Sequence, residues 1–177
     1  MKKLLTAAVF LAIFTTGAAN AATMFDFSYI FADSSAITGS LSGDLSGTLI
    51  NNISNVQVSF NGTAFSGPLS VAGWDTSLLT WNTAPVVSTI ASQNNFIFAD
   101  SNVPTDFGAS NYFFFTNDAT NGQAVFATNL NTGDIAYDSP SSGGTWSIAA
   151  VPLPATFPLL MSGLGLLGMA SRRRLQG

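Results

Sequence analysis

The sequence contains no cysteine, no histidine and no glutamate in its 177 residues. Without cysteine, the fold has no disulfide, no thiolate metal site and no site for lipid acylation. Without histidine as well, the usual serine and cysteine triads and histidine-based zinc sites are excluded. The fold must therefore depend on its apolar core, and the fifteen phenylalanines, three tryptophans and three tyrosines are suited to form one.

Basic residues are absent from the whole middle of the chain. The only lysines and arginines stand at the two ends, as Lys2, Lys3, Arg172, Arg173 and Arg174. Residues 22–150 hold all nine aspartates and carry a formal charge of −9. Nucleic-acid binding is excluded, because neutralising phosphates requires Lys or Arg. The same absence excludes Schiff-base chemistry and phosphate clamps from the middle region.

The first 21 residues have the pattern of a secretory signal peptide. Lys2 and Lys3 form a positive start, and an apolar stretch runs from Leu4 to Phe14. Ala19 and Ala21 then provide the small-x-small pattern that precedes cleavage. We expect export by the Sec machinery and a cut after Ala21, with Ala22 as the alternative.

Residues 22–150 are expected to form an all-β domain. They are rich in Ser, Thr, Asn, Gly and Phe, and alternating runs are separated by turn signals. Phe25, Phe27 and Tyr29 predict a first strand with one aromatic face. A weaker alternation from Ala36 to Leu49 predicts two short strands with a bend, and further strands are expected at Leu78–Trp81 and Thr145–Ala149. Asn61-Gly62 supplies the positive φ angles of a hairpin turn. About ten short strands, spaced roughly 8–12 residues apart, predict an antiparallel β-sandwich. We expect the aromatic side chains to form its core rather than a platform for a ligand.

Aspartate is the only residue type that the domain has left for acid–base catalysis, and its carboxylates could also bind a hard cation. Asp100, Asn102 and Asp106 place several oxygens on one loop, as a calcium ion prefers, and Asn131–Asp134 does so more weakly. Calcium is the one cofactor that the sequence suggests. Asp33 and Asp75 are each followed by Ser or Thr, a pattern shared by aspartic proteases and by ordinary turns. We expect a non-catalytic domain, with an aspartate-dependent surface hydrolase as the alternative.

The C-terminal segment, residues 151–177, has three parts. Val151, Pro152, Leu153, Pro154 and Ala155 form a proline-spaced block, an uncharged run extends to Ser171, and Arg172, Arg173 and Arg174 follow. The run is just long enough for a single transmembrane helix. Because positive charge resists translocation, the arginines are expected to stay in the cytoplasm and the domain outside it.

This segment resembles a PEP-CTERM sorting signal in its VPLPA form. The resemblance implies processing by an exosortase, a membrane cysteine protease that removes the tail. It also implies delivery to the surface or extracellular matrix of a Gram-negative bacterium, often alongside exopolysaccharide and biofilm production. Leu153 stands where the commoner form has Glu, so the exosortase variant stays open.

Two other interpretations of the segment stay open. A plain membrane anchor would have the same apolar run and arginines, although the glycines of the run weaken it as a permanent span. Residues 153–157 (LPATF) also resemble the LPxTG signal of Gram-positive sortases, with Phe157 in place of the glycine.

Overall fold

The computed structural model describes residues 22–100, 110–118, 122–139 and 142–152. Within these ranges the chain forms twelve β-strands and a short 3₁₀ turn at Ala91–Gln93. The strands pair antiparallel in two sheets, so the all-β prediction is confirmed. The predicted signal peptide and membrane-spanning segment lie outside the described residues.

The first sheet has six strands in the order β12-β1-β2-β3-β4, with β7 paired to β3. Its strands are β1 (Thr23–Ile30), β2 (Ala36–Ser46), β3 (Leu49–Phe60), β4 (Thr63–Ala64), β7 (Val87–Ser88) and β12 (Thr145–Ala150). The first and last strands of the described chain are therefore neighbours, and β12 lies at the edge of the sheet.

The second sheet also has six strands, in the order β11-β10-β9-β8-β5-β6. Its strands are β5 (Ser70–Asp75), β6 (Thr80–Thr83), β8 (Phe96–Ala99), β9 (Tyr112–Asp118), β10 (Gly122–Asn129) and β11 (Asp134–Asp138). Strands β9, β10 and β11 follow one another as neighbours, which is the arrangement that short turns between antiparallel strands produce.

The main core lies between the two sheets and is built largely from aromatic rings. The first sheet contributes Phe25, Phe27 and Tyr29, each at most 4% exposed, so the predicted aromatic face of β1 is confirmed. The second sheet contributes buried phenylalanines from β8 and β9, and the Phe27 ring lies 5.7 Å from that of Phe98. Each fully buried ring stabilises the fold by roughly 1.5–3 kcal/mol relative to exposure.

A smaller aromatic cluster lies on the other face of the second sheet. Trp81, Ile97 and Ala99 are buried there, with Trp74 and Phe114 packed against them. The Trp74 and Trp81 rings lie 5.2 Å apart, edge to face. These aromatic side chains pack against one another, in agreement with the expectation that aromatic residues serve mainly as core.

The β10–β11 hairpin of the second sheet contacts one end of the first sheet at two points. At one end of the β10–β11 hairpin, the Asn129 amide lies 3.5 Å from the Thr63 carbonyl, just beyond β3. At the other end, the Asp138 carboxylate accepts a hydrogen bond from the Ala32 N–H, just beyond β1. Because β1 and β3 finish at the same end of the first sheet, the hairpin lies across that end.

Two turns show how well local sequence predicts the chain path. The predicted hairpin at Asn61-Gly62 is confirmed, with φ angles of 49° and 82°. The predicted strand from Leu78 to Trp81 begins instead at Thr80. The Asp75 carboxylate accepts hydrogen bonds from the backbone N–H groups of Ser77 and Leu78, which holds this stretch in a turn.

Two strands of the structure differ from what the sequence predicted. Residues from Ala36 onward were expected to form two short strands with a bend, but β2 is one strand of 11 residues. Its register against β3 shifts between Ser40 and Asp44, so bulges absorb the bend without ending the strand. Strand β5 (Ser70–Asp75) was not predicted, because Ser70 to Gly73 lacks strong alternation.

Candidate processing site

The last strand, β12, carries the folded domain directly into the C-terminal segment. It pairs with β1 over its whole length, from Thr145 opposite Ile30 to Ala150 opposite Phe25. Trp146 and Ile148 pack against the main core, whereas the alternate residues of the strand are exposed. Strand β12 is therefore part of the structural core and not a loose tail.

The ladder between β1 and β12 continues one residue beyond the strand. The Val151 N–H donates to the Met24 carbonyl oxygen at 2.8 Å. Pro152 follows, and it is exposed and has no N–H to donate. The sheet therefore ends inside the proline-spaced block, between its first and second residues, with no linker before the block.

The opposite end of the β1–β12 pair is held by side chains. The buried Tyr29 hydroxyl donates to the Asp138 carboxylate at 2.8 Å. Burial, this hydrogen bond and the charge of the carboxylate raise the pKa of Tyr29 far above its ordinary value. Asp138 is itself only 2% exposed.

Two neighbours complete the contacts at this end. A methyl group in place of the Gly144 hydrogen would lie 2.0 Å from the Tyr29 hydroxyl, so only glycine fits over the pair. The Trp146 indole N–H donates to the Ser88 carbonyl at 2.8 Å. Strand β12 is thereby attached to β7 as well as to β1.

Of the predicted sorting residues, the structure describes Val151 and Pro152. The remaining ones lie outside the described residues, namely Leu153, Pro154, Ala155, Arg172, Arg173, Arg174 and the signal-cleavage residues Ala19 and Ala21. In the part of the chain that is described, no helix is long and apolar enough to cross a membrane.

Of the three calcium ligands predicted on the first loop, Asp100 is the one that lies within the described residues. Its carboxylate accepts hydrogen bonds from the backbone N–H and the side-chain amide of Asn111, at 2.9 and 2.5 Å. Asn102 and Asp106 lie outside the described ranges. Among the residues that the structure describes, no three Asp side chains gather where they could hold a metal ion.

The two aspartates of the hydrolase alternative each serve a turn of their own. Asp33 accepts a hydrogen bond from the Ser35 N–H at 2.8 Å, between β1 and β2. Asp75 accepts from the Ser77 hydroxyl at 2.6 Å, in the turn between β5 and β6. This hydroxyl, followed by the N–H groups of Leu78 and Ser77, lowers the pKa of Asp75.

Comparison with known families decides the nature of the C-terminal block. Residues 150–174 match the model of the PEP-CTERM protein-sorting motif. The chain carries a PEP-CTERM sorting signal. Such a signal implies an exported protein that is sorted through the membrane and processed by an exosortase. No protein of curated function and no solved structure matches the chain.

The sequence did not show that the PEP-CTERM signal begins inside a sheet. Val151 is the first residue of the VPLPA block and also the last residue of the ladder with β1. Its partner Met24 lies more than 120 positions away along the chain, so no local pattern could have found the contact. The sequence signal for it was the alternation in Thr145–Ala149, which predicted the strand but not its neighbour.

Proposed function

We propose that this protein is an exported, non-catalytic component of the cell surface or extracellular matrix, processed at its C-terminal signal by an exosortase-type membrane protease. The match of residues 150–174 to the PEP-CTERM motif carries the proposal. Processing breaks one peptide bond of the tail. The acyl side stays with the domain and passes to the protease and then to water or an amine, and the amine side leaves with the apolar segment.

The proposed route uses both ends of the chain. The signal peptide over residues 1–21 directs the chain to the Sec machinery. The apolar run before Arg172 then holds it in the inner membrane with the C-terminus in the cytoplasm, until the protease acts. The β1–β12 pairing supports this route, because Met24 and Val151 are hydrogen-bonded neighbours and both ends of the domain leave it at one place.

A non-catalytic role is supported by the residue types and by their contacts. The domain has no histidine, cysteine, lysine or arginine with which to build the common nucleophilic sites. Asp33 and Asp75 already accept hydrogen bonds within their own turns. We therefore propose that the domain acts by structure or by binding.

A groove on the first sheet is our candidate for contact with extracellular polysaccharide. It encloses about 600 Å³. The polar residues Asp26, Thr38 and Gln57 are among those that line it, together with apolar residues such as Phe65. Such groups hydrogen-bond sugar hydroxyls, while an apolar side chain packs on a sugar ring. Because residues 22–150 carry a charge of −9, we propose a neutral polysaccharide, since an anionic one would be repelled.

The proposed processing is tested by the intact mass of the protein in membrane, surface and medium fractions of its native host. We expect a surface or medium form that lacks residues 1–21 and the apolar tail with its arginines. A membrane form that keeps Arg172–Arg174 as the final product would mean a permanent anchor. A cut between Thr156 and Phe157 would instead indicate a sortase-type signal.

The groove is tested by binding of the mature protein to exopolysaccharide purified from the host. Gln57→Ala should weaken binding severalfold, because it removes the hydrogen-bonding side chain of a residue that lines the groove. Asn51→Ala is a matched control, since Asn51 is exposed on the same strand and does not line the groove. Equal binding of the two variants would refute the groove and leave the processing proposal intact.

A further inference from the structure

The PEP-CTERM signal and the β-sheet share one residue, Val151. Its N–H donates to the Met24 carbonyl, and it is partly buried, whereas Pro152 is exposed. The folded domain therefore holds the first residue of the signal in place and leaves the second in solvent.

This overlap matters because proteases commonly bind their substrates as extended segments, through backbone hydrogen bonds. A backbone N–H that already donates to a sheet neighbour is not free to donate to a protease. The last rung of the ladder, between Met24 and Val151, must open before the whole VPLPA block can lie in an active site. Pro152 has no N–H and is exposed, so it is not subject to this restraint.

We propose that the rung between Met24 and Val151 restrains exosortase processing and sets its N-terminal limit. The inference rests on the proposed function. The broken bond lies C-terminal to Pro152, so the mature protein keeps Val151 in the sheet. The carbonyl carbon of the broken peptide bond stays with the domain and is transferred to water or an amine. The nitrogen of that bond leaves with the tail and gains one proton.

The structure allows this rung to open while the rest of β12 stays in place. Met24 is 52% exposed, and Ala149 and Ala150 are exposed as well. Further along the strand, Ile148 and Trp146 pack against the main core, and the Trp146 indole is bonded to Ser88. Breaking the hydrogen bond between Met24 and Val151 therefore costs the net free energy of about one hydrogen bond. This cost lowers the fraction of molecules in which the Val151 N–H is free by roughly twofold to tenfold.

The test is a Gly-Ser-Gly insertion between Ala150 and Val151 of the full chain, expressed in the native host. The insertion leaves the signal unchanged but separates it from the sheet. In a pulse-chase experiment, we expect the tail to be removed about twofold to tenfold faster than in the natural protein. A rate that is equal or slower would overturn the restraint.

A matched control separates the restraint from a general effect of lengthening the chain. The same three residues are inserted between Ser66 and Gly67, in an exposed connection where a Gly67 side chain would meet no atom within 4 Å. This variant should be processed at the natural rate. If it is accelerated as much as the first, the effect does not come from Val151 and the inference fails.

Two further measurements keep the inference distinct from the proposed function. In the full chain in detergent, the Val151 amide should exchange with deuterium more slowly than in the insertion variant, and equal exchange would refute the rung. The mature mass should include Val151, and its loss would refute the limit while processing itself stands. If no variant ever loses Arg172–Arg174, both the proposed function and the inference fail.

Discussion

The two ends of the β1–β12 pair are built differently. At one end, the buried Tyr29–Asp138 hydrogen bond and the Trp146–Ser88 hydrogen bond tie the strands to other parts of the domain. At the other end, Val151 is joined to Met24 by a backbone hydrogen bond beside exposed side chains. The difference shows where the domain resists opening and where the pair can be separated at little cost.

The largest effect is expected from Trp146→Ala at the side-chain end. The Trp146 ring lies 5.2 Å from Phe115 and 5.7 Å from Phe27, and its N–H is bonded to Ser88. Because the residue is only partly buried, we expect a loss of about 2–4 kcal/mol in the free energy of unfolding. Urea unfolding followed by circular dichroism measures it.

Met24→Ala is the control at the other end of the same pair. Its side chain is 52% exposed, so the change should stay within about 0.5 kcal/mol. The contrast between the two ends would disappear if Met24→Ala cost as much as Trp146→Ala.

A smaller loss is expected from Tyr29→Phe. The substitution keeps the ring but removes the hydroxyl that donates to Asp138. Among the described residues, the buried carboxylate then keeps the Ala32 N–H as its donor. We expect a loss of about 1–3 kcal/mol near neutral pH, measured as a lower urea midpoint. Tyr137→Phe serves as control because Tyr137 is 58% exposed. Similar midpoints for the two variants would show that the Tyr29–Asp138 bond contributes nothing.

The Tyr29 end of the β1–β12 pair should also make the stability of the domain fall at alkaline pH. The pKa of Tyr29 is raised in the fold, chiefly by burial, and burial raises that of Tyr112 as well. In the unfolded chain both hydroxyls titrate near 10.0, so their contribution to stability is complete below that pH and is lost as the pH rises further.

For Tyr29, the free energy of unfolding should fall by up to about 1.4 kcal/mol for each pH unit above the pKa that this residue has in the unfolded chain. Urea midpoints at several pH values between 8 and 11 would record it. In Tyr29→Phe the decline should be shallower, and an unchanged slope would mean that Tyr29 is not its source.

Local sequence patterns predicted those parts of the fold that depend on neighbouring residues. The alternation in β1 gave a buried aromatic face, and Asn61-Gly62 gave a hairpin because its φ angles are positive. Alternation alone failed where a turn contact or a neighbouring strand decided the outcome. Leu78 was expected in a strand, but the Asp75 carboxylate holds it in a turn. Strand β5 was missed because it is specified by its neighbours β6 and β8 rather than by its own alternation.

By itself, the sequence determined the β-rich class of the domain and the presence of a PEP-CTERM signal, because both depend on residue types in a fixed order along the chain. The tertiary structure decided which strands are neighbours. It joined Tyr29 to Asp138, 109 positions apart, and it joined Met24 to Val151. Such contacts arise from the packing of whole sheets, and only this packing places the first residue of the signal within the folded domain.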